Sequence, residues 1–168
     1  MLKIAPISRE HYRAAFDCGV AELNAFLKTT ARQHGEKGLS RTFVLTESDK
    51  PAVIIGFLSL TLCEIAAEQL PPAYAAMHPK HNLPAVRLAR LAVSLRHQGK
   101  GYGTLLVAEA VHRTILIADQ AGSIGLFVDA KNDRARDFYK HYGFVSLPGQ
   151  NKTLFLPLKT LRAAIKAQ

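Results

Sequence analysis

The sequence predicts an α/β (α+β) protein on a mixed sheet, and three observations carry that expectation. Short apolar runs rich in β-branched and aromatic residues alternate with segments of helical periodicity. In the second half strand, helix and strand succeed one another, an order that implies locally parallel pairing because parallel strands need a crossover. The 168 residues are 48% hydrophobic, enough for a packed core in one domain and too apolar for wholesale disorder.

The elements follow in order. Residues 2–7 read as a strand, with Pro6 suggesting a sheet edge. Ser8 is the expected cap of a short helix, with His11 third after it. A longer helix is expected over residues 20–34, since Val20, Leu23, Phe26 (or Leu27) and Ala31 recur at helical spacing. Gly35 and Gly38 should end it. Residues 41–47 and 52–64 read as strands joined by the turn-forming Ser48-Asp49-Lys50-Pro51. Residues 65–85 hold Pro71, Pro72, Pro79 and Pro84, and read as a long surface connection with a short helix at its start. Strand returns over 86–95. Residues 99–103 form a glycine-rich turn. A helix follows to Gln120, with Leu105, Ala108, Val111, Ile115 and Ala118 inward and Gly122 at its end. Residues 124–129 are an apolar strand. Asn132 caps a further helix that ends at Gly143. Strands at 144–147 and 153–158 and a short helix over 160–167 complete the chain.

Lys and Arg number 22 against 13 Asp and Glu, a formal net charge of +9. Such a field steers polyanions such as nucleic acid, a nucleotide cofactor or an acidic partner; the plainer alternative is solubility alone. No long Lys/Arg block stands out, so a basic surface has to be assembled by folding. No apolar run approaches the roughly 20 residues of a membrane helix, and residues 1–9 lack a signal-peptide pattern. A cytoplasmic protein without membrane association is expected. Cys18 and Cys63 make neither a disulfide framework nor a zinc spacing and read as small buried apolar residues. No His-Glu-x-x-His or paired Cys-x-x-Cys occurs, so no metal is expected.

The strongest local feature is the strand entering Arg96-His97-Gln98-Gly99-Lys100-Gly101-Tyr102-Gly103. Glycines let a backbone turn tightly and approach a ligand. The helix that follows offers unpaired N–H groups and the positive end of its dipole, a combination that binds phosphate. Arg96 and Lys100 add charge. The spacing matches neither Gly-x-x-x-x-Gly-Lys-Ser/Thr nor Gly-x-Gly-x-x-Gly, which disfavours a nucleoside triphosphatase and a dinucleotide-binding site. A glycine-rich turn without a ligand is the remaining alternative.

Arg96-x-x-Gly99-x-Gly101 resembles the pyrophosphate-cradling motif of the GNAT acetyltransferases. The resemblance takes in Leu91-Ala92-Val93, Leu126-Phe127-Val128-Asp129-Ala130, Asn132, Ala135-Arg136-Asp137-Phe138-Tyr139 and Tyr142-Gly143-Phe144. It implies the GNAT acyl-CoA N-acyltransferase fold, a mixed six- to seven-stranded sheet with helices on both faces, and acetyl-CoA as cosubstrate. It also implies residue roles. Leu91 and Val93 offer backbone groups to the pantetheine arm, with Ala92 between them and Asn132 on the other side. Arg96 through Gly103, including His97, Gln98 and Tyr102, surround the pyrophosphate. Tyr139 donates a proton to the leaving thiolate while N–H groups near Val93 stabilise the oxyanion. A packed tyrosine is the alternative for Tyr139, and a plain helix cap for Asn132.

Phe16-Asp17-Cys18-Gly19, Leu23-Asn24-Ala25-Phe26-Leu27, and Pro84-Ala85-Val86 ahead of Arg90-Leu91-Ala92-Val93 are similar to GNAT toxins of bacterial toxin–antitoxin modules. Many of those toxins carry an acidic residue where this chain has Ser94. This resemblance implies acetylation of the amino group of aminoacyl-tRNA and arrest of translation. It further implies a ribbon–helix–helix antitoxin, operator DNA reached through that antitoxin, and a homodimer as the frequent state of the group. The charge agrees with a tRNA partner, for which Lys28, Arg32, Lys37, Arg41, Arg87 and Arg90 are candidate contacts. An α-amino group, with a pKa of about 8, is partly neutral near neutral pH and needs no strong base. Glu64 is the candidate base acting through water, and His97 a poorer one. Two alternatives stay open: a GNAT enzyme for a small-molecule or protein amine, and a co-repressor partner of a ribbon–helix–helix protein on DNA.

Overall fold

A computed structural model describes residues 1–166. Its strands are β1 (Leu2–Pro6), β2 (Arg41–Glu47), β3 (Gly56–Ala66), β4 (Asn82–Val93), β5 (Gly125–Asp129), β6 (Val145–Leu147) and β7 (Gln150–Pro157). They hydrogen-bond in the order β1-β2-β3-β4-β5-β7-β6. β4 and β5 run parallel, whereas β1–β2, β2–β3, β5–β7 and β6–β7 run antiparallel, so the sheet is mixed. The helices are α1 (Ala21–Thr29), α2 (Ala31–Lys37), α3 (Pro72–Ala75), α4 (Tyr102–Gln120), α5 (Asp133–His141) and α6 (Leu158–Lys166). The chain sorts into two compact units, the first Met1–Thr61 with Ala89–Ala110, the second Leu62–Leu88 with the residues from Val111 onward.

The first unit packs α1 and α2 onto its strands. Phe16, Phe26, Leu27, Ala31, Val44, Ile54, Phe57 and Ala92 form its core, with Val20 and Leu23 packed against them. This is the helix face that the apolar spacing marked. Each fully buried large side chain contributes roughly 1.5–3 kcal/mol. The single helix expected over 20–34 is instead broken at Thr30 (φ −121°, ψ −35°). Thr29 Oγ1 bonds back to Ala25 O at 2.7 Å, a competing bond typical of threonine in helices. Gly35 lies inside α2 and does not end it; Gly38 does, at φ +73°. The short helix expected after Ser8 is absent. The Ser8 N–H donates to His11 Nδ1 at 3.0 Å and the segment forms turns. β3 starts at Gly56, later than expected, where a Cβ would lie 2.8 Å from Ala92 O, so strand packing there requires glycine.

In the second unit the proline-rich stretch is more ordered than a surface loop. β4 begins at Asn82 and passes through Pro84, which lacks an N–H but whose carbonyl accepts from Ile124 N–H. Ala67 and Leu70 are buried with Leu83, Ala85, Phe127, Leu147 and Phe155. Phe127 stacks on Phe155 at 4.6 Å and Tyr74 meets Phe155 edge-on. Cys18 is buried as expected, whereas Cys63 is only half-buried. β7 starts at Gln150 and α6 at Leu158, both earlier than expected; Ala167, the last residue of the expected terminal helix, lies outside the described residues.

α4 begins at Tyr102, so Gly103 sits in its first turn and not in the preceding loop. Its buried face is Leu106, Val107, Ala110, Val111 and Thr114, while Leu105 is 40% exposed. Val111 is buried as expected, but the first turns are rotated, because apolar residues occupy consecutive positions from Leu105 to Ala108 and the periodicity alone cannot choose among them.

Candidate active site

β4 pairs with β5 at residues 86–88 and continues to Val93. The overrun leads into the glycine loop through a series of hydrogen bonds. Ser94 N–H donates to Ile55 O and Leu95 N–H to Asp17 O, both at 2.8 Å. His97 N–H closes a tight turn onto Ser94 O. Gln98 Nε2 donates to Val93 O at 2.9 Å and to Cys18 O at 3.2 Å. Ser94, the position that departs from the toxin pattern, is buried with its hydroxyl 2.6 Å from His97 Nδ1.

Beyond this anchored entry the backbone opens. Gly99 and Gly101 adopt φ of +76° and +84°, and no atom lies within 4 Å of where a Cβ would stand at either. A side chain would be strained there, and the open space leaves the backbone accessible. Arg96, Gln98 and Lys100 are exposed around it, and the 19-residue α4 starts one residue later. Exposed cations, accessible glycine backbone and a helix N-terminus together suit a pyrophosphate. The His97 pKa is held below its ordinary value by burial, then by Lys100 and Arg96, so the ring is neutral at pH 7. The Gln98 side chain is spent on two protein carbonyls, and Ala92 turns its side chain into the core. Both are left to contribute through the backbone. Leu91 and Val93 are half-buried on the same strand.

In the second unit Tyr139 lies on α5, 7% exposed, with its ring edge-on to Phe138 and Phe144. Burial pushes its phenol well above the ordinary tyrosine range, so it carries its proton throughout the physiological range. Asn132 caps α5, its Oδ1 accepting from Ala135 N–H at 2.9 Å, which leaves its amide N–H groups for another acceptor. Glu64 is exposed and accepts from Asn82 Nδ2 at 3.4 Å.

The cationic candidates divide. Arg87 is paired with Asp129. Arg90 lies 3.6 Å over the Phe26 ring, and partial burial lowers its pKa. Both are held by the protein. Lys37 and Arg41 are exposed. Lys28 and Arg32 line a cleft of about 340 Å³ with Arg9, Arg13, Thr29, Gln33 and Glu36. Arg13 reaches Lys28 O at 3.3 Å, and Arg32 pairs loosely with Glu36 at 3.5 Å. Sequence reasoning missed Arg9 and Arg13 because nothing local sets them apart from other surface cations. Their cleft joins residues distant in the chain, which no local pattern marks.

The family model described as "Acetyltransferase (GNAT) family" matches residues 8–144. The probable toxin TacT of Sinorhizobium fredii is 33% identical over 161 residues, 91% of this chain and 88% of that protein. A tRNA-acetylating toxin of Mycobacterium tuberculosis is 32% identical over 151 residues, 90% of this chain and 89% of that one. Among solved structures, AtaT complexed with acetyl-methionyl-tRNAfMet superposes with a TM-score of 0.91 at 30% identity, covering 98% of this chain and 99% of its own. A mutant AtaT toxin bound to the C-terminus of the antitoxin AtaR and acetyl-CoA gives 0.83 at 29% identity, covering 98% of both. The KacTA–DNA complex gives 0.85 at 29% identity, covering 100% of both.

Proposed function

The chain belongs to the GNAT acetyltransferase family, and from that membership we propose that it acetylates the amino group of aminoacyl-tRNA from acetyl-CoA and so acts as a toxin that arrests translation. The observation that carries this reading is the near full-length likeness, at a TM-score of 0.91, to a toxin solved with acetyl-methionyl-tRNAfMet. One family model spans residues of both compact units, which supports a single acetyltransferase domain.

Acetyl-CoA supplies the acetyl group as a thioester. In this reading the residues from Arg96 to Gly103 hold its pyrophosphate, the backbone of Leu91 and Val93 and the amide of Asn132 hold its arm, and Tyr139 keeps a proton at Oη for the leaving sulfur. The phenol keeps its proton at neutral pH, which suits a donor and not a base. The cleft of Arg9, Arg13, Lys28 and Arg32 receives phosphates of the tRNA. An antitoxin neutralises the enzyme, as the AtaR and KacTA structures suggest by analogy; a ribbon–helix–helix fold for that partner, operator DNA through it, a homodimeric toxin and a cytoplasmic location complete the proposal. Among the described residues no helix is long and apolar enough to cross a membrane, and no group of three or more His, Cys, Asp or Glu could hold a metal ion.

The test is transfer from labelled acetyl-CoA to total charged tRNA, with uncharged tRNA as control. Label on charged tRNA alone, released by mild ester hydrolysis, is the expected result. Intact acetyl-CoA binding with no label on tRNA would instead direct the search to small-molecule or protein amines.

A further inference from the structure

The glycine loop does not hold its shape unaided. Its entry is fastened to a turn that lies 80 residues earlier in the chain. Asp17 Oδ1 accepts from Gly19 N–H at 2.8 Å and from Asn24 Nδ2 at 2.9 Å, and Asn24 Oδ1 accepts from Cys18 N–H at 2.9 Å. These three bonds set the turn so that two of its carbonyls point to the loop: Asp17 O takes Leu95 N–H and Cys18 O takes Gln98 Nε2. Gly19, at φ +86°, completes the fit, because a Cβ there would lie 3.2 Å from Leu95 Cδ2. The same Gln98 amide holds Val93 O, while Ile55 O holds the N–H at the other end of that peptide unit. The last peptide of β4 is therefore fixed at both of its polar ends.

We propose that the turn of residues 17–24 is a positioning clamp for acetyl-CoA, acting through Gln98 and Leu95 to pre-set the pyrophosphate loop and the Val93–Ser94 peptide. This rests on the reading that residues 96–103 bind the pyrophosphate. Asp17, Gly19 and Asn24 contact the cosubstrate nowhere in this scheme. They lower the ordering cost that an open diglycine loop would otherwise impose on binding.

The experiment measures acetyl-CoA affinity by titration of the full chain, with KM and kcat on the same variants. Asn24→Ala is expected to weaken acetyl-CoA binding and raise its KM about tenfold, the scale of one or two lost hydrogen bonds, with kcat at saturation within about twofold. Asp17→Asn, which keeps the accepting oxygen, should bind like wild type, whereas Asp17→Ala should resemble Asn24→Ala. Gln98→Met, which keeps length and removes the donor, reads acetyl-CoA affinity from the loop side should Asn24→Ala fail to fold. Gly101→Val reports on the underlying reading. Unchanged binding there removes the pyrophosphate loop itself. Binding lost in Gly101→Val but unchanged in whichever of Asn24→Ala and Gln98→Met folds overturns the clamp alone.

Discussion

A phenol as buried as Tyr139 gives up its proton only to a strong acceptor. Its pKa lies above the usual tyrosine value because the phenolate would be desolvated. The stability linked to the neutral ring is therefore fully present below the ordinary tyrosine pKa and is lost only as pH rises beyond it. The rate should accordingly climb with the fraction of neutral amine, around pH 8 for an α-amino group, and show no falling limb below about pH 10. Tyr139→Phe, which keeps the packing against Phe138 and Phe144, should lower kcat by about a hundredfold or more at every pH. Steady-state kinetics between pH 6.5 and 9.5, a range of about three units around that α-amino pKa, would check both; wild-type kcat in the phenylalanine variant removes the proton-donor role. At this scale the sequence was legible where a motif names the residue, as for Asn132 and the glycines. It placed Gln98 in the loop but was silent on its side chain, which bonds two carbonyls that only folding brings near.

Asn132 shows how one residue at an element boundary can serve two ends. Its oxygen caps α5, and its amide is the group proposed to meet the pantetheine arm. The substitutions separate the two roles. Asn132→Asp keeps the accepting oxygen and should leave the melting temperature near wild type while raising the acetyl-CoA KM several-fold. Asn132→Ala should do the same to KM and also cost about 1 kcal/mol of stability. Equal KM values for all three proteins would reduce Asn132 to a cap. Element existence was largely readable from periodicity, and element ends were not. The helix breaks at Thr30 while its apolar face runs on to Ala31, so the spacing showed the face and hid the break. α4 turned a different face inward because apolar side chains surround it. The prolines of residues 71–84 masked a strand, since a proline whose missing N–H is not needed can stay in the ladder.

Across the whole chain the net charge of +9 has a local expression in the cleft of Arg9, Arg13, Lys28 and Arg32. Phosphate contacts release counterions, so tRNA affinity should fall steeply with salt, by about 0.7–0.9 in log–log slope per contact. Replacing Arg9 and Arg13 by Ala should flatten that slope by one to two such steps while acetyl-CoA affinity stays at wild type. Binding titrations over a salt series read this directly, and an unchanged slope would move the RNA elsewhere. Composition announced a polyanionic partner; it could not announce the cleft, which unites two turns and a helix pair.

The bond between Gln98 and the carbonyl of Cys18 closes 80 residues of chain. Contacts of that sequence separation form after the local helices and hairpins have repaid the entropy of bringing their ends together. Competence to hold the cosubstrate thus waits until residue 98 can reach the turn of residues 17–24, and a chain still emerging during synthesis lacks it until then.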